Sequence, residues 1–216
     1  MNKEICSNSF DEDKPSEEIN FQLDWIFLED LELKIILSII LIQKNDEKHL
    51  WSTRELCELL DLSYHSKNTS KIFKALNSLS DNNVIEYSYD HKHSIKILYN
   101  NDNILTIDKT WLYKLINYRS IGDLSKISIS WVKLIKVFIY LYNECLRKDN
   151  YGYISDRIKV LHISYETFRK AYYIIKNISL LDCLVIYKRS KCICDDLGNF
   201  YQMPANFEFV YDWTKE

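Results

Sequence analysis

Proline is almost absent from this sequence, and its scarcity constrains the fold more than any other feature. Only Pro15 and Pro204 occur in 216 residues, and glycine occurs three times. Proline breaks helices because it lacks the amide donor and clashes with the preceding turn. Since 47% of the residues are apolar, a packed core is also expected. The chain is therefore predicted to be mainly helical, with turns built from Asn, Asp and Ser.

Charge is distributed unevenly along the chain. Residues 1–30 carry two lysines against nine acidic residues, whereas residues 111–190 carry fourteen basic residues against six acidic ones. A basic excess of this kind is a candidate surface for polyanions, and solvated helix faces that happen to be basic are the simpler alternative. Residues 1–20 lack periodicity, so we expect a mobile acidic tail. A segment that lies over the basic half as a DNA mimic is the functional alternative.

The first half begins with two predicted helices and a strand. Residues 29–44 repeat leucine and isoleucine at helical spacing, which predicts a first helix with an apolar stripe. Residues 49–51 fit a short strand. Ser52 or Thr53 then caps a second helix, TRELCELLDL, which has a glutamate available for its first turn.

A third helix and a hairpin follow. Asn68 or Thr69 is predicted to cap the helix, and the Asp-Asn-Asn run at 81–83 ends it. Its apolar residues are expected to face inward, and its lysines and Asn77 outward. Two alternating runs, with a turn over residues 90–93, then predict a β-hairpin.

Three helices followed by a hairpin resemble the winged helix-turn-helix superfamily, on the residues TRELCELLDLS, ALNSL and NNVI. In that family the third helix enters the major groove of DNA, and the hairpin, or wing, contacts the flanking backbone or the minor groove. The same order of three helices and a hairpin is predicted for the second half. The two copies align at an offset of 101 residues up to Tyr64 and Tyr165, and at 96 after a five-residue gap. The gap predicts a longer connection between the second and third helices of the first copy.

The second copy has its own set of predicted elements. They are a strongly apolar helix over 131–148, a strand at Tyr153–Ile154, a second helix capped by Ser155, a third helix over 164–179, a wing strand over 184–191, a turn at 195–199, and returning runs at 200–203 and 207–211.

The resemblance implies a mainly α fold with small β-hairpins, arranged as two tandem winged-helix domains. The predicted parts are a tail (1–20), a first domain (21–103), a connector (104–127) and a second domain (128–216). Tandem winged helices are similar to plasmid and phage replication initiators, which implies a non-enzymatic protein that binds double-stranded DNA and initiates replication or regulates transcription. The alternative is a winged-helix scaffold that binds protein and does not read DNA, as chromosome-condensation accessory subunits do.

The expected DNA contacts follow from side-chain chemistry on the third helices and wings. Lysine and arginine neutralise phosphates, arginine can read guanine and asparagine adenine, and hydroxyls bond phosphates near a helix N-terminus. The second copy, within the basic segment, is expected to grip DNA more strongly. The candidates are Lys67, Thr69, Ser70, Lys71, Lys74, Asn77 and Lys92 in the first copy, and Tyr165, Thr167, Arg169, Lys170, Tyr173, Lys176, Lys188, Arg189 and Lys191 in the second.

Other chemistry is less favoured. Cys192 and Cys194 alternate on one strand and, with Cys183 and His162, contain the ligand types of a zinc site, but structural thiols are the preferred interpretation. The His-x-His spacing at 91–93 matches a nicking motif without its expected strand partners. No phosphate-binding glycine loop occurs, so we expect no cofactor.

The remaining expectations concern location and assembly. A polar, acidic N-terminus and six cysteines favour a cytoplasmic protein with free thiols, and no apolar run is long enough for a membrane helix. The apolar residues 35–42 and 131–146 predict helices buried on all sides. Packing between the two domains is the simpler explanation, and a homodimer interface is the alternative.

Overall fold

The structure is a computed structural model and describes residues 17–42, 49–100, 102–146, 154–178, 184–189, 192–194, 200–202 and 206–211. Within these ranges the chain is mainly helical with small antiparallel sheets, as its composition predicted. The first half contains, in order, β1 (Glu18–Gln22), a 3₁₀ turn (Leu23–Phe27), α1 (Asp30–Ile42), β2 (His49–Trp51), α2 (Thr53–Leu59), α3 (Ser66–Asp81), β3 (Ile85–Asp90) and β4 (Lys92–Ile97).

A connecting region and a second half follow. The connecting region contains β5 (Ile104–Asp108), α4 (Lys109–Ile116) and two 3₁₀ turns (Tyr118–Ser120 and Gly122–Lys126). The second half contains α5 (Trp131–Leu146), α6 (Ile154–Val160), α7 (Tyr165–Asn177), β6 (Leu184–Arg189), β7 (Cys192–Cys194), β8 (Phe200–Gln202) and β9 (Asn206–Tyr211), and for β6 to β9 only the backbone is described.

The predicted hairpin forms and gains a third strand. β3 pairs antiparallel with β4, and Asp90 lies opposite Lys92, so that His91, with φ 59°, makes the turn. The strand predicted at residues 49–51 is confirmed as β2, and it pairs with the other edge of β4 to give the sheet order β2-β4-β3. The sheet therefore ties the hairpin to the segment that precedes α2.

A strand begins at Glu18, so the predicted tail, residues 1–20, is too long by at least three residues. β1 pairs antiparallel with β5, with Glu18 opposite Asp108 and Gln22 opposite Ile104. Residues 18–20 thus belong to a sheet, and residues 1–16 lie outside the described residues. The alternation of buried and exposed residues along β1 was present in the sequence, but its partner strand lies more than eighty residues away.

Helix starts follow local capping chemistry. Of the two predicted caps of α2, Ser52 is the one that forms, and it does so as a capping box: Oγ of Ser52 accepts from the amide of Glu55 at 3.2 Å, and the Ser52 amide donates to the Glu55 carboxylate at 2.6 Å. The predicted start of α3 at Asn68 or Thr69 is wrong, because the helix begins at Ser66. Nδ1 of His65 accepts from the Asn68 amide at 3.4 Å and caps it there.

The two halves share the same helix-ending turn, 101 residues apart. Asp61 and His162 both have a φ of 51°. The amide of Leu62 donates to the carbonyl of Cys57, as that of Ile163 does to Ile158. This bond between residues five apart is the Schellman ending of a helix. The predicted alignment of this region is therefore matched by backbone conformation.

The first copy has five more residues than the second, and most of them lie in its third helix rather than in the connection before that helix, where they were expected. α3 has 16 residues and α7 has 13, so three of the five extend the helix rather than the connection. Only two lengthen the segment between helices, which runs over residues 60–65 in the first copy and 161–164 in the second. The first copy thus presents about one more helical turn at the start of its third helix.

α5 is the central helix of a core shared by both halves. Its residues Leu134, Val137 and Phe138 have no exposed surface, and the helix contacts α1 and α4 as well as α7 and β9. The apolar residues of α1 from Leu33 to Leu41 are buried too. The expected packing of apolar helices between the halves is therefore what the contacts show, and a homodimer through the same faces would first have to uncover them.

Two carboxylate contacts join α5 to its neighbours. Asp30, at the start of α1, lies 3.4 Å from Nζ of Lys136 and 3.5 Å from Nζ of Lys133. Lys136 is buried and also donates to the carbonyl of Leu28. Further along, Glu144 accepts from the buried Arg157 of α6 at 2.7 Å. Buried ammonium and guanidinium groups need such partners because desolvating an unpaired charge is costly.

The second half contains two antiparallel strand pairs. β6 pairs with β9 and β7 with β8, in line with the predicted wing strands, while the predicted turn at 195–199 lies outside the described residues. The predicted strand at Tyr153–Ile154 is wrong for Ile154, which is the first residue of α6, one residue before the expected Ser155 cap. No helix in the described ranges is both long and apolar enough to cross a membrane.

Candidate nucleic-acid interface

The outer face of α3 carries a row of cations. Ile72, Ala75, Leu76 and Leu79 are buried and hold the helix against the core. Residues three and four apart share one side of a helix, so the opposite side forms a continuous polar strip. We call this strip the α3 face; its exposed members are Lys67, Ser70, Lys71, Lys74 and Asn77.

The lysines of the α3 face are available to an anion. Within the described part of the chain, no carboxylate lies at ion-pair distance from Lys67, Lys71 or Lys74. Three uncompensated ammonium groups along about ten ångströms of helix create a positive potential that favours a polyanion. Asp81, at the far end of α3, is exposed and opposes this potential only there.

The predicted hydroxyl contacts are less available than the lysines. Oγ1 of Thr69 donates to the carbonyl of Ser66 at 2.9 Å, inside the helix, and therefore does not offer its proton to a phosphate. Ser70 is exposed and keeps that capacity. Side chains with short hydroxyls often bond the preceding turn in this way.

An aromatic cluster fixes the hairpin against α3. Phe73 on α3 lies with its ring centroid 5.0 Å from Tyr89 on β3 and 4.8 Å from His93 on β4. Tyr89 and His93 are themselves 4.7 Å apart. Edge-to-face and tilted aromatic contacts of this kind stabilise packing beyond the area that they bury. The cluster sets the angle between the hairpin and the α3 face.

His93 lies in the core rather than at the hairpin tip, where the sequence placed it. Its Nε2 is 2.9 Å from Oγ1 of Thr53 and its Nδ1 is 3.0 Å from the Tyr87 hydroxyl. It has no exposed surface, and burial lowers its pKa, which favours the neutral ring. Both ring nitrogens are occupied, so the His-x-His spacing at 91–93 does not supply two metal ligands.

The tip itself presents one histidine and one lysine. His91 is exposed and lies 3.7 Å from the exposed Asp90 carboxylate. Lys92 is exposed and contributes weakly to the lowered pKa of Glu55, which arises first from the hydrogen bonds to Ser52. The tip therefore presents one lysine, whose charge is partly offset by Glu55.

Arg54 and Tyr64 form an exposed cation–π contact that the sequence did not predict. The guanidinium of Arg54, in the first turn of α2, lies 5.5 Å from the ring centroid of Tyr64. Both side chains are exposed, and Tyr64 is in the connection that precedes α3. The contact joins residues ten apart across a turn, and neither helical nor strand periodicity brings such positions together.

The outer face of α7 differs from the α3 face. Tyr165, Arg169, Tyr173 and Lys176 are exposed as predicted. Lys170, which aligns with Lys74, is half-buried and bonds the Glu166 carboxylate at 2.8 Å; that hydrogen bond is the main reason why the pKa of Glu166 is lowered.

Of the remaining candidates in the second copy, one is hydrogen-bonded within the helix cap, and the side chains of the other three lie outside the described part of the structure. Oγ1 of Thr167 lies 2.9 Å from the hydroxyl of Ser164 and so belongs to the helix cap. Lys188 and Arg189 lie on β6, of which only the backbone is described, and Lys191 lies outside the described residues.

The basic excess of residues 111–190 is partly internal. Lys136 and Arg157 are buried, and Lys126 pairs with Asp123 at 2.7 Å. Lys133 shares Asp30 with Lys136. Because Lys136 and Arg157 are buried, this segment presents fewer cations to solvent than its composition suggested, whereas all three lysines of the α3 face are exposed.

Two of the four residues of the zinc alternative lie on one short strand. Cys192 and Cys194 lie on β7 opposite Gln202 and Phe200, and Cys183 lies outside the described residues. His162 is exposed and occupies the turn before α7. Among the residues that the structure describes, no group of three or more His, Cys, Asp or Glu is placed to hold a metal.

Comparison with known proteins gives no relative: no family model, curated protein or solved structure matches this chain.

Proposed function

We propose that the chain is a duplex DNA-binding protein whose first half is a winged-helix domain. Support comes from the order α1, β2, α2, α3, β3, β4 and from the sheet order β2-β4-β3. That arrangement sets a third helix beside a two-stranded hairpin, the two elements that winged-helix domains use on DNA. The repeated turn at Asp61 and His162 supports a second domain of the same plan in the second half.

The single observation that carries the proposal is the row of unpaired lysines on the α3 face. The row lies on a helix that its buried side holds in place, and the aromatic cluster sets a hairpin next to it. Lysines neutralise phosphates and release counterions, which supplies most of the affinity for DNA. Asn77, within the same face, is suited to adenine in the major groove.

The biological role that we propose is replication initiation or transcription regulation of a plasmid- or phage-type element, without enzymatic activity. Two helix-and-hairpin units in one chain would place two DNA-binding surfaces on one polypeptide. The alternative, a protein-binding scaffold that does not read DNA, would favour neutral or acidic third-helix faces. The uncompensated charge of Lys67, Lys71 and Lys74 counts against it for the first copy.

The test is a salt titration of duplex binding. A labelled 24-base-pair duplex is titrated with the full chain at several salt concentrations, and fluorescence anisotropy gives Kd. We expect affinity to fall steeply with salt. Lys71→Ala and Lys74→Ala should each weaken binding and reduce the slope of log Kd against log salt by about 0.9, the contribution of one phosphate contact.

The matched control is Lys126→Ala, which removes an exposed lysine that already pairs with Asp123. It should leave both Kd and the slope unchanged. Binding that is absent, or that responds to all three substitutions alike, contradicts duplex binding by the α3 face.

A further inference from the structure

The outer side of α7 exposes two tyrosines with an arginine between them. Tyr165 is 56% exposed and Tyr173 is 51% exposed, and Arg169 is exposed between them. The spacing i, i+4, i+8 keeps the three on one side of the helix. We call these three residues the α7 ladder. The described residues of α3 expose no comparable aromatic ring, because Phe73 is packed against Tyr89.

The charge beside the ladder favours an anion. Glu166 is held by Lys170 at 2.8 Å, so the nearest carboxylate is already neutralised. Within the described residues, neither Arg169 nor Lys176 has a carboxylate at ion-pair distance. A protein partner would also favour tyrosine and arginine, but the surplus of positive charge is what a nucleic-acid backbone complements.

The spacing of the ladder fits unstacked bases. With a rise of about 1.5 Å per residue, successive members lie about 6 Å apart along the helix axis. That distance is nearly twice the rise of about 3.4 Å per nucleotide in a duplex strand. Aromatic rings bind bases through their faces, and a guanidinium stacks on them in the same way. In a duplex those faces are covered by neighbouring bases, so an exposed ladder has its chemical match in an unpaired strand.

We propose that the α7 ladder binds single-stranded DNA by stacking two or three unpaired bases on Tyr165, Arg169 and Tyr173. Lys176 then lies along the strand and neutralises phosphate. The two third helices would thus divide the work: the α3 face holds a duplex, and the ladder holds a separated strand. The inference extends the proposed function but does not depend on duplex binding by α3, because the two surfaces consist of different residues.

The experiment measures binding of a fluorescent twelve-nucleotide thymidine strand to the full chain by anisotropy at low salt. We expect the Tyr165→Ala/Tyr173→Ala variant to raise Kd at least about tenfold, and Tyr165→Phe/Tyr173→Phe, which keeps both rings, to stay within about twofold of wild type. An abasic strand of equal length should bind the wild type about as weakly as the thymidine strand binds the alanine variant.

The matched control is Phe27→Ala, which removes an equally exposed aromatic ring (56%) from the first 3₁₀ turn and should leave Kd unchanged. Circular dichroism of each variant verifies the fold. The proposal is overturned if the wild type does not bind the thymidine strand, or if it binds the abasic strand as tightly as the thymidine strand. It is also overturned if the alanine variant keeps the wild-type Kd. Duplex binding is scored separately: the lysine variants of α3 should weaken it, and the tyrosine variants should not.

Discussion

Nε2 of His93 lies 2.9 Å from Oγ1 of Thr53, so a side chain of β4 is bonded to the first residue of α2. The other ring nitrogen meets Tyr87 on β3 at 3.0 Å. One buried imidazole therefore holds together the helix and both strands of the hairpin. Protonation of this buried ring is therefore expected to weaken the attachment of the hairpin to α2.

Acid is expected to destabilise the fold through His93. Burial lowers its pKa in the folded state, so unfolding takes up a proton below about pH 6.5, the ordinary value for histidine. The stabilisation is fully present above that pH and is lost as pH falls toward the folded pKa, at no more than about 1.4 kcal/mol per pH unit for one proton. Urea unfolding at pH 7.5 and 5.5 measures the loss.

The comparison that isolates His93 uses two variants. His93→Gln should show a smaller loss of stability between the two pH values than the wild type does. His91→Gln, which alters the exposed histidine of the turn, should retain the wild-type loss. Equal pH dependence of all three proteins would assign the acid sensitivity to other groups.

Removing the carboxylate that faces α5 should weaken the contact between α1 and α5. Asp30→Asn leaves the buried ammonium of Lys136 without its carboxylate, and we expect the free energy of unfolding to fall by about 1–3 kcal/mol. Asp123→Asn, at an exposed pair with Lys126, should cost less than about 1 kcal/mol. Adding Lys136→Met to Asp30→Asn should restore part of the loss; no difference between the two aspartate variants would contradict the interpretation.

The repeated helix-ending turn can be tested at both of its positions. Asp61 and His162 have a φ of 51°, a conformation that β-branched residues strongly disfavour. Valine at either position is expected to cost about 1–2 kcal/mol, and glycine should be tolerated. At Lys159, exposed within α6, valine should cost under about 1 kcal/mol. Thermal unfolding of the valine and glycine variants at each position tests this. Unequal losses of stability for valine at 61 and 162 would show that the two turns are not equivalent.

Local features were predictable from the sequence because local chemistry decides them. The capping box at Ser52 and Glu55 is a contact between residues three apart, and the apolar stripe of α3 repeats within one helix. The start of α3 was missed because histidine is an uncommon cap, so His65 gave no clear signal. The lysine row was found by the same periodicity that found the helix.

Features that depend on distant partners were not predictable in the same way. β1 finds its partner in β5, and Lys136 finds Asp30, across separations that no periodicity encodes. His93 was assigned to the hairpin tip because the sequence does not show that the turn is a single residue, His91. Composition likewise does not show which cations of the basic segment are buried, as Lys136 and Arg157 are.

The shared core around α5 has a consequence for how the protein loses its structure. Its buried residues pack against α1 and α4 as well as α7. Unfolding of either half would therefore expose apolar surface on the half that remains folded. Calorimetry should then record one cooperative transition for the full chain, and a fragment ending before Trp131 should be far less stable than the whole. A helix that packs against both halves is thus expected to couple their unfolding.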